Sequence, residues 1–254
     1  MGYGRGPGAP PAGGVATRWV RAIAPTCASV APTAAAPARA RLDRVTAHQS
    51  ADRSADANAK GTEGTFSVVA VAASAGGVYG LGVLLGGLGP HLSVPVLLVQ
   101  HLDPRHRTVI AEVLSRRTPL PVKLAEHGEW ALPGTVYVAP PDRHLLVGQD
   151  GLLSLSTSEP VNFVRPSADL LFESVAGMYG PQAIACVLTG TGRDGAKGVD
   201  AVKARGGTVI AQDPRSAEFT GMPAAAVGTG AVDFVLPLEE IAAFVRGLVE
   251  DKRQ

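Results

Sequence analysis

The sequence predicts an α/β fold: a doubly wound, mainly parallel sheet with helices on both faces and an inserted antiparallel hairpin. Short, continuous apolar runs alternate with segments of helical periodicity, which is typical of parallel strands covered on both sides. The most apolar runs are followed by a polar residue or a Gly-rich loop rather than by a tight hairpin turn. The exception is the pair of runs 145–147 and 152–155 around a Gly-Gln-Asp-Gly turn, which predicts the hairpin.

The elements before the hairpin begin with the apolar run 68–73, which predicts a buried strand. A Gly-rich turn then leads into an apolar helix. The remaining predictions before the hairpin are, in order, a helix at 78–88, a strand at 94–100, a helix at 108–117 and short strands at 121–125 and 135–139.

After the hairpin, Ser167 is a good N-cap for a helix. Gly206 and Gly207 end a later helix after a Gly-rich loop. The predicted elements are a helix at 168–178, a strand at 183–188, a helix at 196–205, strands at 208–211 and 233–236, and a closing helix at 239–249.

Composition excludes several classes of function. A net charge of +1 gives no basic surface for nucleic acid, so we expect no nucleic-acid partner. The two cysteines, Cys27 and Cys186, form neither a disulfide framework nor a metal-ligand spacing. No run of about 18 uninterrupted apolar residues is present, so we expect no membrane insertion and a cytoplasmic protein.

Residues 1–64 differ from the rest of the chain. They are rich in Ala, Pro, Gly and Arg, without acidic residues before Asp43, and are too poor in periodic apolar residues to form a core. We therefore expect a disordered tail and linker over 1–64 and a catalytic domain over 65–254. The Arg-rich start is also similar to a transit peptide, but it lacks the apolar segment of a secretory signal.

Three candidate catalytic residues follow the three most apolar strands. Ser74 and His101 lie directly after the runs 68–73 and 94–100, and Asp194 lies in the Gly-rich loop that follows the run 183–188. Because the carboxyl ends of parallel strands share one edge of the sheet, we expect the three side chains to meet there. A serine needs an imidazole to take its proton, and the imidazole needs a carboxylate to orient it. The sequence therefore predicts a Ser–His–Asp triad.

Each of these residues also has a plainer interpretation. Ser74 is equally consistent with an N-cap of the following helix, and Asp194 with an N-cap of the helix at 196–205. His101 is consistent with an ordinary histidine at a strand end. The loop 189–195 is Gly-rich enough to cradle a phosphate, but it matches neither common nucleotide-binding motif, which makes nucleotide binding the weaker hypothesis.

Six spaced motifs nevertheless resemble the catalytic domain of chemotaxis protein-glutamate methylesterases (CheB) over roughly residues 66–249. The motifs are Ala73-Ser74-Ala75-Gly76-Gly77, Gln100-His101, Leu132-Pro133-Gly134 with Tyr137-Val138-Ala139-Pro140, Arg165-Pro166-Ser167, Leu188-Thr189-Gly190 with Asp194-Gly195-Ala196, and Gly221-Met222-Pro223. The resemblance implies the triad Ser74, His101 and Asp194. It also implies hydrolysis of glutamate methyl esters on chemoreceptors, often glutamine deamidation, and no metal or organic cofactor.

The resemblance also suggests which residues assist. The backbone N–H groups of Ala75 and Thr191 are expected to face the oxyanion, and Arg165 and Met222 to contact substrate. Ala75 replaces the threonine that usually follows the serine, and Thr191 replaces the methionine of the family loop.

Family members typically carry an N-terminal phospho-receiver domain of about 120 residues. Too little of the sequence before Phe66 is expected to fold for such a domain to be present there. A basic cluster at Arg105, Arg107, Arg116 and Arg117 is expected to meet an acidic partner or to form a solvated helix face. Two other functions stay open at this point: a serine hydrolase acting on a different ester or amide, and a non-catalytic signalling module of the same fold.

Overall fold

The structure is a computed structural model, and it describes residues 66–102 and 108–250. The predicted tail at 1–64, together with Arg105 and Arg107 of the basic cluster, lies outside these residues. Within the described part, no helix is both long and apolar enough to cross a membrane.

Seven parallel strands form the central sheet. They are β1 (Val68–Ala73), β2 (Val96–Gln100), β3 (Val122–Leu124), β4 (Val136–Val138), β7 (Ala183–Val187), β8 (Thr208–Gln212) and β9 (Phe234–Leu236), and the hairpin strands are β5 (His144–Val147) and β6 (Leu153–Ser156). The spatial order of the sheet is β3-β4-β2-β1-β7-β8-β9. The strands β2, β3 and β4 therefore lie on one side of β1, and the later strands β7, β8 and β9 lie on the other side. In open α/β sheets such a reversal of strand order leaves a crevice at the carboxyl ends of the strands.

Within the described residues, six helices cover the sheet. They are α1 (Gly77–Gly87), α2 (Ile110–Ser115), α3 (Ala168–Tyr179), α4 (Ala196–Ala204), α5 (Gly221–Gly228) and α6 (Leu238–Glu250), with a short 3-10 helix at Gly180–Gln182. Alternate residues of β1 belong to different cores, since side chains of a strand point in turn to opposite faces. Val68, Ala70 and Ala72 pack in the core of α3 and α4, whereas the others pack in the core of α1 and α6. This confirms the doubly wound α/β class and its antiparallel hairpin.

The differences from the expected elements are local. Helix α2 begins at Ile110, two residues later than expected, with Val109 as its N-cap residue. The Thr108 hydroxyl accepts a hydrogen bond from the Ile110 N–H at 3.1 Å just before the helix. Helix α5 was not predicted, because its small and apolar sequence, Gly-Met-Pro-Ala-Ala-Ala-Val-Gly, has no amphipathic period. Its buried residues include Met222 and Ala226, which join the core on the α3 side of the sheet.

Candidate functional site

The edge of the sheet beyond β1, β2 and β7 carries the three predicted catalytic side chains. The sheet ladder continues past the strands: the Ser74 N–H donates to the Thr189 carbonyl at 3.0 Å, and the His101 N–H donates to the Ala73 carbonyl at 3.2 Å. Ser74, His101 and Asp194 line one open cleft of about 420 Å³. The other lining residues are Asn162, Phe163, Val164, Thr191, Gly192 and Arg193.

The turn after Ser74 is held by a buried glutamine on the neighbouring strand. The Gln100 side-chain Nε2 donates to the carbonyls of Ser74 at 2.8 Å and His101 at 3.0 Å. A Cβ at Gly77 would collide with the Gln100 side chain, so the close approach requires glycine there. Gly76 has a φ of +72°, which lets the chain turn sharply from strand to helix. Ser74 is half-buried, and its hydroxyl makes no hydrogen bond to any described residue.

His101 is oriented by Asp194. The His101 Nε2 lies 2.8 Å from Asp194 Oδ2, and Asp194 is only 3% exposed. A carboxylate oxygen only accepts, so the Nε2 carries the proton of this hydrogen bond. The Nδ1 is thereby the imidazole nitrogen left free to accept a proton from a neighbouring hydroxyl.

The Asp194 carboxylate is surrounded by donors. Oδ2 also accepts from the Ala168 N–H at 2.6 Å, and Oδ1 accepts from the Ser167 hydroxyl at 2.7 Å and the Asp169 N–H at 3.2 Å. Burial is the largest influence on the pKa of Asp194 and raises it, but the hydrogen bonds from His101, Ala168 and Ser167 together outweigh burial. The pKa therefore lies below its usual range, and the group is ionised at neutral pH.

A second buried carboxylate, Asp169, lies beside the first. Asp169 Oδ1 accepts from the N–H groups of Gly195 at 2.8 Å and Gly198 at 2.9 Å, in the first turn of α4. Asp194, just before α4, accepts in turn from the first turn of α3. Asp194, just before α4, thus caps α3, and Asp169, in the first turn of α3, caps α4. Burial, together with the nearby charge of Asp194, raises the pKa of Asp169.

Asn162 connects the two carboxylates. Its Nδ2 donates to Asp169 Oδ2 at 2.8 Å and lies 3.5 Å from Asp194 Oδ1. Neither Asn162 nor Asp169 was predicted as a site residue. The sequence does show Asp169 as an acidic residue in the first turn of a helix, next to Ser167. An acidic residue at that position is usually explained by its interaction with the helix dipole alone, so it does not indicate a site.

The predicted oxyanion donors lie next to the cleft. Among the described residues, nothing accepts a hydrogen bond from the N–H of Ala75 or of Thr191. Thr191 lines the cleft, on a loop that approaches Ser74 through Gly190. A Cβ at Gly190 would lie 2.9 Å from the Ser74 Cβ and would collide with Met222. The loop therefore reaches Ser74 only because this position is glycine.

The two expected substrate contacts, Met222 and Arg165, have different surroundings. Met222 is 1% exposed and lies against Gly190, so it supports the loop. The Arg165 guanidinium lies in a smaller neighbouring cleft, where it donates to Asp142 Oδ1 and to the carbonyls of Thr157 and Ser158. Its donors are engaged within the protein, and it holds the segment before α3 in place.

The comparisons with known proteins agree with this geometry. The family model of CheB methylesterase matches residues 69–245. This chain belongs to the CheB methylesterase family. It is 46% identical over 176 residues to protein-glutamate methylesterase/protein-glutamine glutaminase 4 of Myxococcus xanthus, an alignment that covers 69% of this chain and 50% of that protein. A putative protein-glutamate methylesterase/protein-glutamine glutaminase of Leptospira interrogans is 38% identical over 182 residues, covering 71% of this chain and 94% of that protein.

The crystal structure of the Thermotoga maritima CheB methylesterase catalytic domain is also similar, with 37% identity and a TM-score of 0.70. The match covers 73% of this chain and all of that domain. The chain spans about half the length of several curated relatives, such as the Myxococcus protein. Within the described residues of this family member, no cluster of three or more His, Cys, Asp or Glu side chains is arranged to hold a metal.

Proposed function

We propose that this chain is a protein-glutamate methylesterase: a serine hydrolase that removes methyl groups from glutamate methyl esters of chemoreceptors. One observation carries the proposal. A buried Asp194 orients His101 through Nε2, in the same cleft as a serine hydroxyl that has no partner among the described residues. Such an arrangement has the three roles that acyl transfer needs: nucleophile, base and orienting carboxylate.

The reaction follows from these roles. The Ser74 oxygen attacks the ester carbonyl while His101 Nδ1 takes the hydroxyl proton. The tetrahedral intermediate collapses, and His101 returns the proton to the departing methoxide, which leaves as methanol. A water molecule then attacks the glutamyl ester on Ser74, again with His101 as base. Loss of Ser74 as leaving group, reprotonated by His101, releases the glutamate carboxyl group.

The surrounding groups stabilise the charges of these steps. Asp194 holds the imidazole in the tautomer with the proton on Nε2 and stabilises the imidazolium that forms. The N–H groups of Ala75 and Thr191 have no acceptor among the described residues, and we propose that they donate to the oxyanion. Such a donor is typically worth about 10²- to 10³-fold in rate. Every step uses groups of the protein, so we propose that the reaction requires no metal or organic cofactor.

The same groups also support deamidation, with ammonia leaving in place of methanol. The names of the Myxococcus and Leptospira relatives include protein-glutamine glutaminase, which favours this second activity here. We further propose that the catalytic domain spans residues 65–254 and acts in the cytoplasm on a receptor segment. A serine hydrolase for an unrelated ester is the competing proposal.

Single-turnover release of methanol from a methylated receptor fragment tests the proposal. The wild-type protein should release methanol, and Ser74→Ala should remove nearly all of this activity while circular dichroism shows an intact fold. Hydrolysis of small esters without any release of methanol from the receptor fragment would instead support the competing proposal.

A further inference from the structure

A tight turn at the catalytic cleft carries Phe163, a fully exposed aromatic residue with a positive φ. Val161 and Val164 exchange two backbone hydrogen bonds, of 3.1 and 3.0 Å, around Asn162 and Phe163. Both central residues have positive φ, +52° and +65°, as in a type I′ hairpin turn. Asparagine and glycine are common in this conformation, whereas a bulky residue such as phenylalanine is a rare outlier there.

The Phe163 ring gains no packing that would compensate for this conformation. The residue is fully exposed, and the only ring–ring contact among the described residues joins two other phenylalanines. A bulky side chain held in the left-handed region is a reason to look for function at that position.

The turn is nevertheless firmly anchored on both sides. Asn162 Nδ2 donates to the buried carboxylate of Asp169, and the Arg165 guanidinium donates to Asp142 and two carbonyls. The ring is therefore presented at a fixed place relative to Asp194, which also lies within 3.5 Å of Asn162 Nδ2.

The ring lies between two clefts. Phe163 and Val164 line the catalytic cleft of about 420 Å³, and they also line the neighbouring cleft of about 170 Å³ that contains Leu102 and Pro160. A methyl-ester side chain needs only the first cleft. A protein segment that delivers this side chain would also pass over the ring and along the second, partly apolar cleft.

We propose that Phe163 is a specificity-determining residue that packs against an apolar side chain of the protein segment bearing the glutamate methyl ester. This inference rests on the proposed function and names how that site holds its protein substrate. On a helical substrate, residues three or four positions from the glutamate lie on the same face, within reach of a ring at the mouth of the cleft. A small ester has no neighbouring side chain to pack against the ring.

The test compares two substrates and three variants of the full chain. Phe163→Asn keeps a residue that tolerates positive φ and removes the ring, and Phe163→Tyr keeps the ring. Leu132→Ala is the matched control, since Leu132 is 59% exposed and lines neither cleft. Steady-state kinetics are measured with a methylated receptor fragment and with p-nitrophenyl acetate, and the melting temperature is recorded for each variant.

Phe163→Asn should raise KM for the receptor fragment about 10-fold, the loss expected when an aromatic ring is no longer buried by substrate. Its kcat, its rate on p-nitrophenyl acetate and its melting temperature should be maintained, and Phe163→Tyr and Leu132→Ala should be similar to wild type. An unchanged KM in an active Phe163→Asn enzyme would overturn this inference alone. A wild-type protein that releases no methanol from the fragment would overturn the inference together with the proposed function.

Discussion

Replacing Asp194 with asparagine should lower both the stability of the protein and the rate of catalysis. The hydrogen bonds of Asp194 set the size of each loss separately. The amide must place its NH₂ group at one of the two oxygen positions, each of which now accepts a backbone N–H: Ala168 at Oδ2 or Asp169 at Oδ1. In either orientation one buried backbone donor of α3 loses its acceptor. Such a loss costs about 1–3 kcal/mol, which for a domain of this size lowers the melting temperature by roughly 2–12 °C.

The cost in rate depends on which orientation the amide takes. At the Oδ1 position the NH₂ group can donate to the Ser167 hydroxyl, which can rotate and become the acceptor. At the Oδ2 position the NH₂ group would face two other donors, the Ala168 N–H and the protonated His101 Nε2. We therefore expect Asp194→Asn to keep its carbonyl toward His101. Losing only the charge weakens the support of the imidazolium by about 1–2 kcal/mol, or roughly 5- to 30-fold in rate. Reversal of the tautomer would instead cost about 10⁴-fold.

The assay combines thermal melting with single-turnover methanol release. A lower melting temperature together with a rate loss well below 10⁴-fold supports the geometry, and nitrogen NMR of His101 should show the proton still on Nε2. A variant that melts at the wild-type temperature and turns over at the wild-type rate would refute the placement of Asp194 as both helix cap and partner of His101.

Two further changes test the surroundings of the triad. Gly190→Ala should displace the loop from Ser74 and remove one oxyanion donor, which should lower the rate of methanol release about 10²- to 10³-fold. Gly177→Ala is the control, because its added Cβ meets nothing within 4 Å. An equal rate in both variants would count against the role of the loop. Because the folded pKa of Asp169 is raised, its contribution to stability increases as the pH falls from neutral toward its unfolded pKa of about 4. Asp169→Asn should therefore gain less stability than wild type between pH 7 and about pH 4 in urea unfolding, and an equal gain would contradict the raised pKa.

The sequence allowed the fold and the three central side chains to be predicted for a common physical reason. Strands buried on both faces are continuous apolar runs, so their ends are visible as a change to polar residues or glycine. Ser74 and His101 come directly after such runs, and Asp194 lies in the loop after a third. Parallel pairing then brings the three positions to one edge without any further information.

The parts that were not predicted depend on contacts between distant segments. Asn162 becomes part of the site only because the segment after the hairpin returns across the carboxyl edge, which no local pattern indicates. The reciprocal capping by Asp169 and Asp194 requires α3 and α4 to begin side by side. The packing of Met222 against Gly190 is another such contact, because the motif alone does not distinguish a buried support from a substrate contact.

We propose that Ser74 is a nucleophile activated by His101. Labelling with a fluorophosphonate probe, followed by mass spectrometry of the digested protein, tests this role at the residue itself. We expect a single adduct on the Ser74 hydroxyl and loss of labelling in His101→Ala, because the hydroxyl is a poor nucleophile without its base. An adduct on a different residue, or none at all in a protein that still releases methanol from a methylated receptor fragment, would show that Ser74 is not the nucleophile.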